Sequence, residues 1–98
     1  MNNQFTITSD LIQYVVDWYK TLNIVPFVVN RGNLVIFQSS LLNIQIEEDV
    51  PYEGLILNYT YDDGKIFVED RKIGDKRDIK NAIYHLFMRF SPPPKFIY

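Results

Sequence analysis

Between Asp10 and Leu22 the apolar positions recur at helical spacing, with Leu11, Val15, Trp18 and Leu22 in one seam and Ile12, Val16 and Tyr19 in a second beside it. Thr8, Ser9 or Asp10 can cap the start, and Gln13, Asp17 and Lys20 are left for water. The apolar arc is wider than one partner surface needs, so the pattern predicts a helix that sits deep in the domain or covers its own sheet and a second subunit as well. After Asn23 the rhythm becomes that of strands: "IVPFVVN" (24–30), "LVIFQ" (34–38), "LLNIQIE" (41–47), "LILNYTY" (55–61) and "KIFVED" (65–70). Pro26 cannot donate a ladder hydrogen bond, so the first strand begins there or lies at an edge.

Turn chemistry separates these runs. Arg31-Gly32-Asn33 joins the first two, and Asp62-Asp63-Gly64 marks a hairpin, because Gly takes positive φ freely and Asp tolerates it. Along the first arm of that hairpin Leu55, Leu57, Tyr59 and Tyr61 share one face and Ile56, Asn58 and Thr60 the other. The second face is half polar and is expected to reach solvent or a ligand. "RKIGDKRD" breaks the strand pattern, and Asp75 or Asp78 can cap a closing helix with Ile79, Ile83, Leu86 and Phe90 on its inner face and Ala82 and Phe87 beside them. The proline run after Ser91 stops it. The predicted architecture is α+β: an N-terminal helix, a small antiparallel, partly open β-barrel or curled sheet, and a C-terminal helix. One domain spans 1–91, and 92–98 is a short Pro-rich extended tail.

Composition narrows the chemistry. In 98 residues one core is the expectation, and 47% hydrophobic residues with seven Phe, seven Tyr and one Trp supply it without disulfides. The chain has no Cys, which removes thiol catalysis, thiolate metal sites and redox switching together. The formal charge of −2 gives no general attraction to phosphate or acidic membranes. Eight of the twelve acids lie between Glu47 and Asp70, and the last third is basic, a distribution that solvated turns and an ordinary helix surface explain. The start of the chain has no secretion signal, and no run approaches the about 18 to 20 apolar residues that span a bilayer, so a cytoplasmic location is expected. Asn58-Tyr59-Thr60 matches a glycosylation sequon, which is coincidental in that compartment.

His85 is the single histidine and lies on the flank of the closing helix's buried stripe, with no carboxylate or hydroxyl at a telling spacing to make it a base. A structural or surface role accounts for it. The four glycines sit at turn positions and not in a phosphate loop. Neither Glu47-Glu48-Asp49 with Glu53 nor Asp62-Asp63 has the alternating spacing of a calcium loop, so no metal or cofactor is expected. "KIFVED" lacks the companion aromatic strand and the basic surroundings of an RNA-binding sheet, and nucleic acid is not expected as a partner.

Taken in order, "LIQYVVDWYKTLNIVPFVVN", "GNLVIFQSSLLNIQI", "GLILNYTYDDG" and "IKNAIYHLF" resemble the folded domain of the stringent starvation protein B (SspB) family, whose curled sheet is superficially Sm-like. Members of that family are adaptors that deliver ssrA-tagged proteins to the ClpXP protease. The resemblance covers Leu11 to Phe90. It implies a non-enzymatic homodimer formed through the first helix, here Leu11, Val15 and Trp18, with a groove on each subunit that holds an unstructured degradation-tag peptide for the AAA+ unfoldase ClpX. The family's groove maps onto Gln38, Ser39, Ser40, Leu41 and Asn43, and onto Asn58, Tyr59 and Thr60. Hydroxyls and amides there suit an extended backbone, and Leu41 and Tyr59 offer apolar anchors. Ser39, Ser40 and Thr60 stand where the family often has a Pro-basic-small turn and a basic residue, so a different tag preference is implied. The contrasting expectation is a small intracellular interaction or inhibitor protein, of the kind phages encode, that binds a host factor and delivers nothing.

Overall fold

A computed structural model of the chain describes residues 3–62 and 64–90. It is an α+β fold with an open sheet. Helix α1 (Ser9–Thr21) is followed by strands β1 (Phe27–Asn30), β2 (Leu34–Gln38), β3 (Leu42–Asp49), β4 (Gly54–Asp62) and β5 (Phe67–Gly74), and helix α2 (Lys76–Met88) closes the order. The five strands form an antiparallel meander in the order β1-β2-β3-β4-β5. The expected tail at 92–98 and the hairpin residue Asp63 lie outside the described residues.

Local chemistry sets the element ends. Helix α1 closes in a Schellman motif: Asn23 takes φ +59°, its N–H donates to Lys20 O at 2.9 Å, and the N–H of Ile24 donates to Tyr19 O at 3.0 Å. That single left-handed residue turns the chain from helix to strand, and Pro26 then precedes β1, which is an edge strand. At the β4–β5 hairpin Gly64 has φ +90°, and its N–H donates to Asp62 Oδ1 at 2.8 Å. Both carboxylates expected at the start of α2 act there. Asp75 Oδ1 accepts from the Asp78 N–H at 2.9 Å, and Asp78 Oδ2 accepts from the Asp75 N–H at 3.1 Å, a reciprocal capping box.

Strand β5 runs on to Gly74, past the point where the sequence pattern breaks. Asn58 pairs with Arg71, Leu57 with Lys72, Ile56 with Ile73 and Leu55 with Gly74. Charged side chains are tolerated there because β5 is an edge strand and its residues are largely exposed, so backbone pairing sets the strand where apolar alternation does not.

Both helices cover one face of the sheet. Leu11, Val15 and Tyr19 of α1 and Ile79, Ile83, Leu86 and Phe87 of α2 meet Val35, Phe37, Leu42, Ile44, Ile46, Leu55 and Leu57 in a single core. Tyr14 Oη donates to Lys80 O at 3.0 Å, Asp10 faces Lys76 and Lys80 at 3.4 and 3.3 Å, and Trp18 stacks on Phe87. The contacts advance together along both helices, so α1 and α2 lie side by side in the same direction. Among the described residues no helix is long and apolar enough to cross a membrane.

This packing corrects the expected dimer seam. Leu11 and Val15 have no exposed surface and belong to the subunit's own core, so they cannot meet a second copy. Trp18 alone of the three reaches the surface, half-buried between Tyr14 and Tyr84. The second seam splits in the same way, with Tyr19 buried and Ile12 and Val16 partly covered.

Candidate functional site

Among the described residues nothing covers the face of the sheet turned away from the helices, and register decides what it displays. Gln45 lies opposite Asn58, which lies opposite Arg71, and Asn43 lies opposite Thr60, which lies opposite Glu69. From β2, Ile36 joins the first row opposite Gln45. Gln38, Asn43, Gln45, Asn58 and Thr60, with Ile36 beside them, line a hollow of about 270 Å³ that crosses β2, β3 and β4. No hydrogen bond among the described residues engages the side chains of Gln38, Gln45, Asn58 or Thr60. Three amides and a hydroxyl therefore present donors and acceptors to whatever lies across the sheet.

Four of the eight expected groove residues, Gln38, Asn43, Asn58 and Thr60, come together here. The other four stand elsewhere. Tyr59 points to the opposite face from its neighbours, is 5% exposed, and donates from Oη to Asp70 Oδ2 at 2.9 Å. Strand alternation requires this, since Leu55, Leu57, Tyr59 and Tyr61 share the core face. Leu41 is half-buried, packed against the core, and does not line the hollow. Ser39 holds the β2–β3 turn: its Oγ donates to Leu42 O at 2.7 Å and accepts from the Leu42 N–H at 3.0 Å. Ser40 is exposed on that turn. Asn43 serves both structure and surface, because its Oδ1 accepts from the Ser39 N–H at 3.3 Å.

A second recess lies on the helix side. The inner face of β5 and one stripe of α2 enclose a cleft of about 600 Å³, lined by Tyr59, Asp70 and Lys72 from the sheet and by Asn81, His85 and Arg89 from the helix. Asn81, His85 and Arg89 are spaced by four residues and so face the same way. Asp70 is tied by two donors, since its Oδ1 also accepts from the Arg71 N–H at 2.8 Å, and these bonds hold its carboxyl below the usual carboxylate range. Burial, reinforced by that carboxylate, pushes the Tyr59 phenol up to about 12. Arg89 donates from Nη1 to Tyr61 Oη at 3.1 Å. His85 is exposed, its ring set at a T-shaped angle to that of Tyr84.

A third, open depression of about 500 Å³ lies at the β5 edge between Asn58, Glu69, Asp70 and Arg71. It shares Asn58 with the hollow and Asp70 with the cleft. Sequence reasoning missed the cleft because its walls come from charged positions on an edge strand and on the exposed side of a helix. The spacing of Asn81, His85 and Arg89 was a signal for the helix wall alone. Among the described residues no group of three or more His, Asp or Glu side chains is placed to hold a metal ion. Compared with protein-family models, with curated proteins and with solved structures, the chain gives no match.

Proposed function

We propose that the protein is a non-enzymatic module that holds an extended peptide across the open face of its sheet, in the manner of the SspB adaptors its sequence resembles. The peptide is a degradation tag of the ssrA type, and the bound cargo is handed to an AAA+ unfoldase of the ClpX kind. The observation that carries the reading is the row of amides and hydroxyl at Gln38, Gln45, Asn58 and Thr60, which engage no partner among the described residues. An extended backbone leaves its N–H and C=O groups unpaired, and such side chains can satisfy them without demanding a particular sequence. Ile36, partly covered at the rim, supplies apolar surface for one side chain of the peptide.

Fluorescence anisotropy with a labelled ssrA-type peptide tests this. Saturable binding in the micromolar range is expected, weakened about fivefold by Asn58→Ala, which is about 1 kcal/mol for one hydrogen bond. No binding at tens of micromolar, or binding that Asn58→Ala and Thr60→Ala leave untouched, removes the reading.

A further inference from the structure

We infer that the protein self-associates through the outer edge of β5, two copies pairing antiparallel about a two-fold axis at Asp70 so that the two five-stranded sheets join into one. This pairing needs no peptide in the hollow.

The backbone of β5 has a free side. Among the described residues β4 is the only strand that pairs with it. The Arg71 N–H donates to Asp70 Oδ1 at 2.8 Å and not to β4, so the Asn58–Arg71 pair is not hydrogen-bonded and Arg71 turns its N–H and C=O to the edge. By alternation Phe67, Glu69 and Ile73 do the same. An edge of eight residues with no Pro is a template for another strand, unlike β1, which has four residues and follows directly on Pro26.

The side chains select the partner. Phe67, Glu69, Arg71 and Ile73 alternate onto the open face and read apolar, acidic, basic, apolar. That order is complementary to its own reverse. With Asp70 on the axis, Glu69 lies opposite the partner's Arg71 and Phe67 opposite the partner's Ile73, and the two-fold makes each pair twice. Charges that keep an edge from pairing with most strands become matched ion pairs in this register. Phe67 and Ile73 are 66% and 61% exposed in the single chain, and each gains an apolar cover across the axis. On the helix side the two Asp70 carboxylates meet between the two Lys72 ammoniums, and these four charges sum to zero. The Arg71 N–H exchanges Asp70 Oδ1 for the carbonyl of the partner's Glu69, while Asp70 keeps the Tyr59 hydroxyl. With Arg71 on the axis instead, Glu69 would meet the partner's Ile73 and Phe67 the partner's Asp75, and both matches are lost.

Joined at Asp70, the open faces are continuous. Asn58, Arg71, the partner's Glu69 and the partner's Thr60 form one row, and both hollows lie on the same side of the dimer.

The test is sedimentation velocity on the whole chain from micromolar to millimolar concentration, with no peptide added. A concentration-dependent dimer is expected. Glu69→Arg and Arg71→Glu, both at exposed positions and checked for folding by circular dichroism, each weaken it about tenfold, about 1.4 kcal/mol. An equimolar mixture of the two variants regains it, because every charged pair in the mixed dimer is again acid against base. The chain has no Cys, so single-cysteine variants report the register. Opposed Cα atoms at the axis stand about 4.5 Å apart, within the about 4.4 to 6.8 Å that a disulfide spans. Asp70→Cys is therefore expected to cross-link under mild oxidation, and Asp17→Cys, on the exposed side of α1, to stay uncross-linked. A monomer at millimolar concentration, a mixture no better than either variant alone, or cross-linking of Asp17→Cys and not of Asp70→Cys overturns the inference.

Discussion

The carbonyl of Leu42, at the start of β3, accepts from two side chains: Tyr19 Oη at 2.8 Å and Ser39 Oγ at 2.7 Å. Two donors fill both lone pairs of one carbonyl oxygen. Tyr19 has no exposed surface, and burial holds its phenol protonated far above the usual range, so it donates at every accessible pH. Tyr19→Phe removes one donor and leaves Ser39 in place, which costs about 1 kcal/mol. Ser39→Ala costs a similar amount, plus whatever the turn loses when the Leu42 N–H loses its acceptor. Together the two substitutions strip the carbonyl of both side-chain donors in a region that water does not reach. The double variant should therefore lose about 1 kcal/mol or more beyond the sum of the singles. Urea denaturation of the four proteins, with unchanged m-values, measures this coupling, and the separate loss at the turn cancels in the cycle. Additivity within about 0.5 kcal/mol would show that the carbonyl does not depend on this pair. The result bears on function, because the same turn holds Asn43 at the rim of the hollow.

Three further outcomes follow from the geometry of β5 and the two helices. Gly74→Ala places a Cβ 2.6 Å from Asp78 Cβ and should destabilise the fold by about 1 to 3 kcal/mol, read as a lower urea midpoint; an unchanged midpoint would mean the capping box yields freely. Tyr59→Phe removes a donor from the Asp70 carboxylate, so the Asp70 carboxyl should titrate at higher pH in a carbon-detected NMR titration, and an unmoved midpoint would deny the bond. Asp10, Asp70 and Asp75 are all held below the usual range, the first mainly by the Thr8 hydroxyl and the other two mainly by backbone N–H groups. Because the folded values are the lower ones, the stabilisation is complete above the unfolded value of about 4 and is lost as pH falls through the folded values. Stability measured from pH 6 downward should be level at first and then decline below about pH 4, and a flat profile would contradict it.

Much of the fold is legible from periodicity alone. The alternation of Leu55, Leu57, Tyr59 and Tyr61 gives the buried face of β4, and Asn23 with Pro26 marks the turn out of α1. What periodicity omits is the identity of the covering surface. Leu11, Val15 and Trp18 form a seam, but only packing against α2 and the sheet shows that the first two are fully covered within one subunit. The end of β5 escapes the pattern because an edge strand exposed along most of its length needs no apolar alternation. Half of the candidate site is legible for the opposite reason. Asn58 and Thr60 are assigned to the open face by strand parity, and the same parity removes Tyr59 from it. The cleft is not legible, since Lys72 and Arg89 become neighbours of one recess only once α2 is laid against β5.

The central claim is that an extended peptide lies across the open face of the sheet. Titrating unlabelled ssrA-type peptide into isotope-labelled protein, and following the side-chain amides of Gln38, Asn43, Gln45 and Asn58 by NMR, addresses it residue by residue. The account predicts that these four amides shift together and saturate at one common affinity while the amides of α1 stay in place. Shifts confined to the helices, or none at saturating peptide, would contradict it.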